Sequence, residues 1–119
     1  ITVGYYGLAQ LNASGTSNSP IIFTSISSTP AAGDWPGLYF YDHTSTNTTI
    51  DYCEFQYAAK GTLDYRAGVY MEGVNGMTIK NSKFLSSNGW GIYMYNSILS
   101  ASSNGNTFTS CTLGNIGTN

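Results

Sequence analysis

Apolar and polar positions alternate along the chain in short bursts, and most bursts close on Gly, Asn or Ser. A period of two puts successive side chains on opposite faces of a strand. No stretch carries apolar residues at helical spacing over three turns, and Glu, Lys, Arg, Gln and Ala are sparse. The plentiful Thr, Tyr, Ile, Val and Phe fit a pleated, half-buried surface. Gly and Asn tolerate the positive φ that tight turns require. The pattern predicts an all-β domain of many short strands.

Three segments repeat in phase. Gly37-Leu38-Tyr39-Phe40-Tyr41 leads to Ile50-Asp51-Tyr52-Cys53-Glu54-Phe55. Gly68-Val69-Tyr70-Met71-Glu72 leads to Ile79-Lys80-Asn81-Ser82-Lys83-Phe84, and Gly91-Ile92-Tyr93-Met94-Tyr95 leads to Ser103-Asn104-Gly105-Asn106-Thr107-Phe108. A weaker fourth unit ends at Pro20-Ile21-Ile22-Phe23. The interval from Gly37 to Gly68 is 31 residues and that from Gly68 to Gly91 is 23. Units of two or three short strands at this period suit a β-solenoid, in which equivalent residues stack along the axis about 4.8 Å apart. A propeller blade needs roughly 40–45 residues, and a sandwich leaves the phased Gly-Φ-Tyr-Φ repeat unexplained. About four coils are expected, forming one domain over residues 1–119.

Alternation then assigns faces. Leu38, Val69 and Ile92 point inward, as do Phe40, Met71 and Met94, with Ile50 and Ile79 beside them. Phe23, Phe55, Phe84 and Phe108 form a column of rings in the core. Asn81 and Gly105 fall at bends, where Asn81 can join a side-chain ladder that Tyr52 keeps short.

Taken with Pro20-Ile21-Ile22-Phe23-Thr24-Ser25 and Ala32-Gly33-Asp34-Trp35-Pro36-Gly37-Leu38, these units resemble secreted bacterial right-handed parallel β-helix proteins of the pectin-lyase-like class. The resemblance runs from about Ser14 to Gly114. It implies a right-handed parallel β-helix and an extracellular or cell-surface location. It leaves activity open, because that class holds lyases, hydrolases, epimerases, adhesins and phage spikes. Lyases of the class usually combine calcium-binding acids with an Arg or Lys base. The hydrolases use grouped aspartates with His and Arg-x-Lys motifs nearby. Neither set is present here, where Asp42-His43 is a lone pair and Arg66 has no basic companion in motif.

Composition narrows the function further. Only 8% of residues are charged, the formal net charge is −2, and Lys plus Arg total four. A nucleic-acid footprint needs a basic face, and no apolar run approaches the roughly 18–20 residues of a membrane span. One His and two distant Cys make no structural zinc site, and no Asp-x-Asp-x-Asp loop points to calcium, so no metal or cofactor is expected. Asp51 with Lys80 and Glu54 with Lys83 occupy matching outward positions and are expected to pair across coils. Cys53 and Cys111 fall two coils apart, about 9–10 Å along the axis, beyond the ~7 Å reach of a disulfide. Both are expected as free, buried thiols.

The candidate binding surface is aromatic. Tyr39, Tyr70 and Tyr93 share one outward position, and Tyr41, Glu72 and Tyr95 share another two residues on, with Trp35 and Trp90 just upstream as flanks. Such rings with polar handles suit a sugar or a partner protein, and equally suit simple strand-to-strand packing. A two-carboxylate glycosidase could in principle be assembled from Asp42 and Glu72, and nothing in their spacing demands it. The longer connection from Gln56 to Ala67 carries Lys60, Asp64, Tyr65 and Arg66, either as a working loop or as a neutral insertion. Asn12 and Asn47 sit in glycosylation-type triplets that arise easily in so Ser- and Thr-rich a chain.

Neither terminus reads as an amphipathic cap, so further β-helix coils or identical subunits stacked end to end are the expected partners. The expected role is a non-enzymatic structural or adhesive module. The alternatives are a polysaccharide-binding module using the tyrosine face, or a piece of a polysaccharide lyase or hydrolase.

Overall fold

The computed structural model describes residues 1–119 and contains strands, turns and no helix. The first sheet holds β1 (Thr2–Val3), β4 (Leu38–Phe40), β7 (Ala67–Glu72), β10 (Trp90–Tyr95) and β13 (Gly114–Thr118) in that order. The second holds β2 (Asn12–Ser14), β5 (Thr49–Asp51), β8 (Asn75–Lys80) and β11 (Ile98–Leu99). The third holds β3 (Ile21–Phe23), β6 (Cys53–Gln56), β9 (Lys83–Leu85) and β12 (Thr107–Thr109). All pairings are parallel, and the chain visits the sheets in strict rotation. Each visit to all three is one coil. The fold is a parallel β-helix of four coils, with β13 adding a fifth strand to the first sheet.

The repeat units map onto this winding. β4, β7 and β10 carry the Gly-Φ-Tyr segments in register, Leu38 on Val69 on Ile92 and Tyr39 on Tyr70 on Tyr93. β6, β9 and β12 carry the phenylalanines. Four strands come from segments with no repeat signature: β1, β2, β11 and β13. In β2 the inward position is Ala13, stacked on Ile50, so its apolar signal is weak.

Leu38, Phe40, Ile50, Val69, Met71, Ile79 and Ile92 are fully buried. Rings of Phe23, Phe55, Phe84 and Phe108 stack with centroid spacings of 5.0, 5.0 and 5.1 Å and nearly parallel planes. The glycines that open the second and third Gly-Φ-Tyr units make room for this column, whereas Gly37 (φ 106°) makes room for the backbone of the next coil at Ala67 and Gly68. A Cβ on Gly68 would sit 3.2 Å from Phe84 Cδ1, and one on Gly91 would run into the Phe108 ring.

Single residues in the left-handed region turn the corners. Tyr52 and Asn81 (φ 49° and 50°) join the second sheet to the third, and Tyr57, Ser86 and Ser110 (φ 62°, 55° and 57°) leave the third. Asn81 Nδ2 donates to Asp51 Oδ1 on the preceding coil at 2.9 Å, so the ladder at this corner is one amide-to-carboxylate rung. Lys80 lies 3.8 Å from Asp51 and Lys83 lies 3.5 Å from Glu54, the two cross-coil pairs read from the sequence. Such partly exposed pairs contribute about 0–1 kcal/mol each.

Cys53 and Cys111 are separate thiols. Cys53 is buried, with its thiol donating to Ala13 O at 3.4 Å. Cys111 departs from expectation by being only half-buried. It follows β12 in the last complete coil, where β9 alone flanks that strand.

Truncating Phe84, fully buried between two rings, should cost about 3–5 kcal/mol in urea unfolding. Phe108→Ala should cost clearly less, because Phe108 is half-buried. Equal losses would contradict the stacked order.

Candidate functional site

The first sheet turns its outward face into an aromatic surface because register repeats the same position every coil. Tyr39, Tyr70 and Tyr93 align, and Tyr95 pairs with Glu72 one column over. Tyr41 follows Phe40, the partner of Met71, and so stands in line with Glu72. Ring centroids are 5.3 Å apart for Tyr39–Tyr70 and 6.1 Å for Tyr70–Tyr93, the latter nearly parallel.

Tyr70 differs from its neighbours. It is only 6% exposed, because Tyr39, Tyr41, Tyr65 and Tyr93 surround its ring. Its hydroxyl donates to Glu72 Oε2 at 2.9 Å. Burial, then the hydrogen bond to the Glu72 carboxylate, push the Tyr70 phenol far above the ordinary tyrosine range. Burial raises Tyr39 and Tyr41 as well, and the Glu72 charge adds to the effect on Tyr41. Tyr70 is therefore a packing and anchoring residue that holds Glu72 in place.

The rings open to solvent lie around it. Tyr5 packs edge-on against Tyr41 at 4.8 Å and is 53% exposed, and Tyr6 beyond it is 96% exposed. Tyr65 reaches in from the Gln56–Ala67 connection to within 5.4 Å of Tyr70 and 6.3 Å of Tyr93. That connection is part of the surface, and Arg66 fastens it by donating to Asn88 O (2.6 Å) and Leu63 O (2.8 Å). Tyr5, Tyr6 and Tyr65 carry no repeat signature, and only the winding of the chain brings them here. In Tyr5-Tyr6, adjacency of two tyrosines beside a strand was the one available signal.

The two tryptophans part company. Trp90 lies 6.1 Å from Tyr93, and its indole covers Gly114 and Gly117 of β13 while Nε1 donates to Asp64 O. Trp35 does not flank the surface. It packs against the core and donates Nε1 to Gln56 O at 2.7 Å, at the corner that follows the third sheet. Its position upstream of Gly37 misleads because the chain bends between them, with φ 106° at Gly37.

At the end of β4, β7 and β10 the surface deepens into a groove of about 320 Å³. Tyr5, Tyr41 and Tyr95 wall it, and Asp42, Glu72 and Asn96 supply its polar atoms. Gly73 (φ 68°) forms part of the lining, and a Cβ there would press within 3.1 Å of Asp42 Cβ. Asp42 Oδ1 lies 3.1 Å from His43 Nδ1, with both side chains largely exposed. Asn96 Oδ1 accepts from Asn119 Nδ2 at 2.9 Å. No Lys or Arg lines the groove. A second cleft of about 250 Å³ lies at the Tyr52 and Asn81 corner, where its two charged lining residues, Glu54 and Lys83, pair with each other.

Nowhere do three or more His, Cys, Asp or Glu side chains converge. Calcium takes 6–8 oxygen ligands, so the two groove carboxylates do not fit the calcium-and-base machinery of the lyases. The groove has shape, rings and negative charge, which fits it for holding a ligand.

Residues 5–68, just over half of the chain, match the family model described as a pectate-lyase like beta helix domain. Comparison with curated proteins and with solved structures finds no match.

Phenols that ionise less readily in the folded chain lower its stability once the unfolded chain begins to lose their protons. The phenols' share of the stability should therefore be level below about pH 9 and fall as pH rises through and beyond 10, and the Cys53 and Cys111 thiols, also raised by burial, add to the fall from about pH 9. Thermal unfolding across that range reads the effect, and Tyr70→Phe should flatten the decline.

Proposed function

The chain belongs to the pectate-lyase-like β-helix domain family, and from that premise we propose that it is an extracellular β-helix module that binds a polysaccharide without cleaving it. The observation that carries this reading is the groove with its three tyrosine walls. Flat rings with hydroxyl tips offer a sugar both apolar area and hydrogen bonds. Asp42, Glu72 and Asn96 supply acceptors for sugar hydroxyls at the same place. The column of tyrosines behind it is packed before any ligand arrives, so little side-chain order has to be gained on binding.

Binding rather than cleavage follows from the state of the acids. Glu72 is held as an acceptor by Tyr70, and Asp42 is solvent-exposed beside His43. Glycoside cleavage takes one carboxyl group free to donate to the leaving oxygen and a second free to attack or to activate water.

A second reading, compatible with the first, concerns partners. Core side chains at both end coils are half-buried, among them Val3, Ile21 and Phe23 at one end and Met94, Leu99 and Phe108 at the other. The phenylalanine column steps by 5.0–5.1 Å, close to the strand spacing, and admits another ring at the same interval. Further β-helix coils or a second copy would cover these surfaces.

Tyr5→Ala with Tyr95→Ala should lose retention on an insoluble polysaccharide while the circular dichroism of the fold stays unchanged. Trp35→Phe should retain binding. Retention by the double variant equal to that of the parent chain would remove the groove from consideration. For the second reading, sedimentation velocity should show assemblies that grow with protein concentration, and Phe23→Glu should abolish them.

A further inference from the structure

The groove is negatively charged in a chain whose four cations all lie elsewhere. Lys80 and Lys83 pair with Asp51 and Glu54, and Arg66 is fastened to Asn88 O and Leu63 O. Lys60 lies in the Gln56–Ala67 connection, where its backbone N–H donates to Trp35 O at 3.1 Å. Asp42 and Glu72 therefore face the ligand with no basic residue beside them in the groove. His43, next to Asp42, is the single nearby group that could offset this charge.

A polymer of uronic acids meets two like charges here, and no base compensates for desolvating its carboxylates. An ammonium group meets the opposite situation. It is attracted by the carboxylates directly and by the negative faces of Tyr5, Tyr41 and Tyr95. Rings and carboxylates together form a partial cage for a cation. From Tyr5 through Tyr41 and Glu72 to Tyr95 the groove crosses four successive coils, roughly 14 Å along the axis. That length suits several sugar units rather than one.

We propose that the ligand of this groove is a cationic amino-sugar polymer, a chain of hexosamine units bearing free amines. Asp42 and Glu72 pair with its ammonium groups while Tyr5, Tyr41 and Tyr95 pack against the sugar rings. This rests on the reading that the tyrosine face binds glycan, and it names the class of glycan. Recognition is by charge, so it weakens with salt. N-acetylation removes the charge and leaves the two carboxylates with hydrogen bonds alone.

The test is isothermal titration calorimetry of the chain with three soluble hexamers, of glucosamine, N-acetylglucosamine and galacturonic acid. It is run at mildly acidic pH, where the amine is an ammonium, in low and in high salt. The glucosamine hexamer should bind at least about tenfold more tightly than the acetylated one, a difference that shrinks in about 1 M salt. Asp42→Asn and Glu72→Gln should each weaken it about tenfold. Asp64→Asn, which removes the same charge outside the groove, should leave it unchanged. Equal loss in Asp64→Asn would mean attraction to net charge alone and would overturn the assignment. Binding of the acetylated or galacturonate hexamer as tight as that of glucosamine would overturn the charge selectivity while leaving glycan binding intact. If none of the three hexamers binds, both the selectivity and the glycan reading fail.

Discussion

Parallel pairing of each coil on the next is the constraint from which the rest of this structure follows. It fixes equivalent residues one strand spacing apart, about 4.7–4.9 Å, and whatever a position carries must tolerate its own kind at that distance. Flat rings do so well. The phenylalanine column keeps planes within 3–12° of parallel at 5.0–5.1 Å. Like charges do not, and outward acids on one coil meet lysines on the next, as in Asp51–Lys80 and Glu54–Lys83. A chain built on self-stacking has few positions where ionisable groups are welcome, which accounts for a charged fraction of 8%.

Corners impose a second demand, and the abundance of Ser, Thr and Asn answers it. Where a strand ends, some backbone amides point away from the ladder and need an acceptor. The next coil provides one from a side chain. Cys53 N–H donates to Ser82 Oγ, Ile79 N–H to Ser103 Oγ, Val74 N–H to Ser97 Oγ, and Ser82 N–H to Asn106 Oδ1. All four bonds reach one coil further along, at 2.9–3.1 Å. No buried side-chain polar atom is left without a partner. The polar composition is part of the scaffold as much as of its surface.

The same stacking makes the tyrosine face and sets its limits. Repetition places Tyr39, Tyr70 and Tyr93 together, and their mutual packing then buries the central one. Accessible rings come from the margins, Tyr5 before the column and Tyr95 at its end, with acids between them. Family membership fixes the scaffold, whereas the groove carries its own chemistry. The chemical character of this one, two carboxylates among phenols, differs from the acids-plus-base set associated with cleavage of acidic polysaccharides.

Period-two alternation and the phased Gly-Φ-Tyr repeat were enough to determine the strand type, the parallel coil, the inward column of phenylalanines and the two ion pairs. These depend on residues that meet their own equivalents one period away, a relation visible along the chain. Strands β2 and β13 escaped because most of their positions are filled by small or polar residues, and β11, only Ile98–Leu99, is too short to show a period. The left-handed corners at Tyr52, Tyr57, Ser86 and Ser110 were equally illegible, since nothing in those residue types calls for positive φ. Trp35 moved to the core side, and Tyr5 and Tyr65 joined the face, each for the same reason. Connections between strands differ in length and bend from coil to coil. Where their side chains land is decided by the three-dimensional path of the turn, and no repeat in the sequence encodes that path.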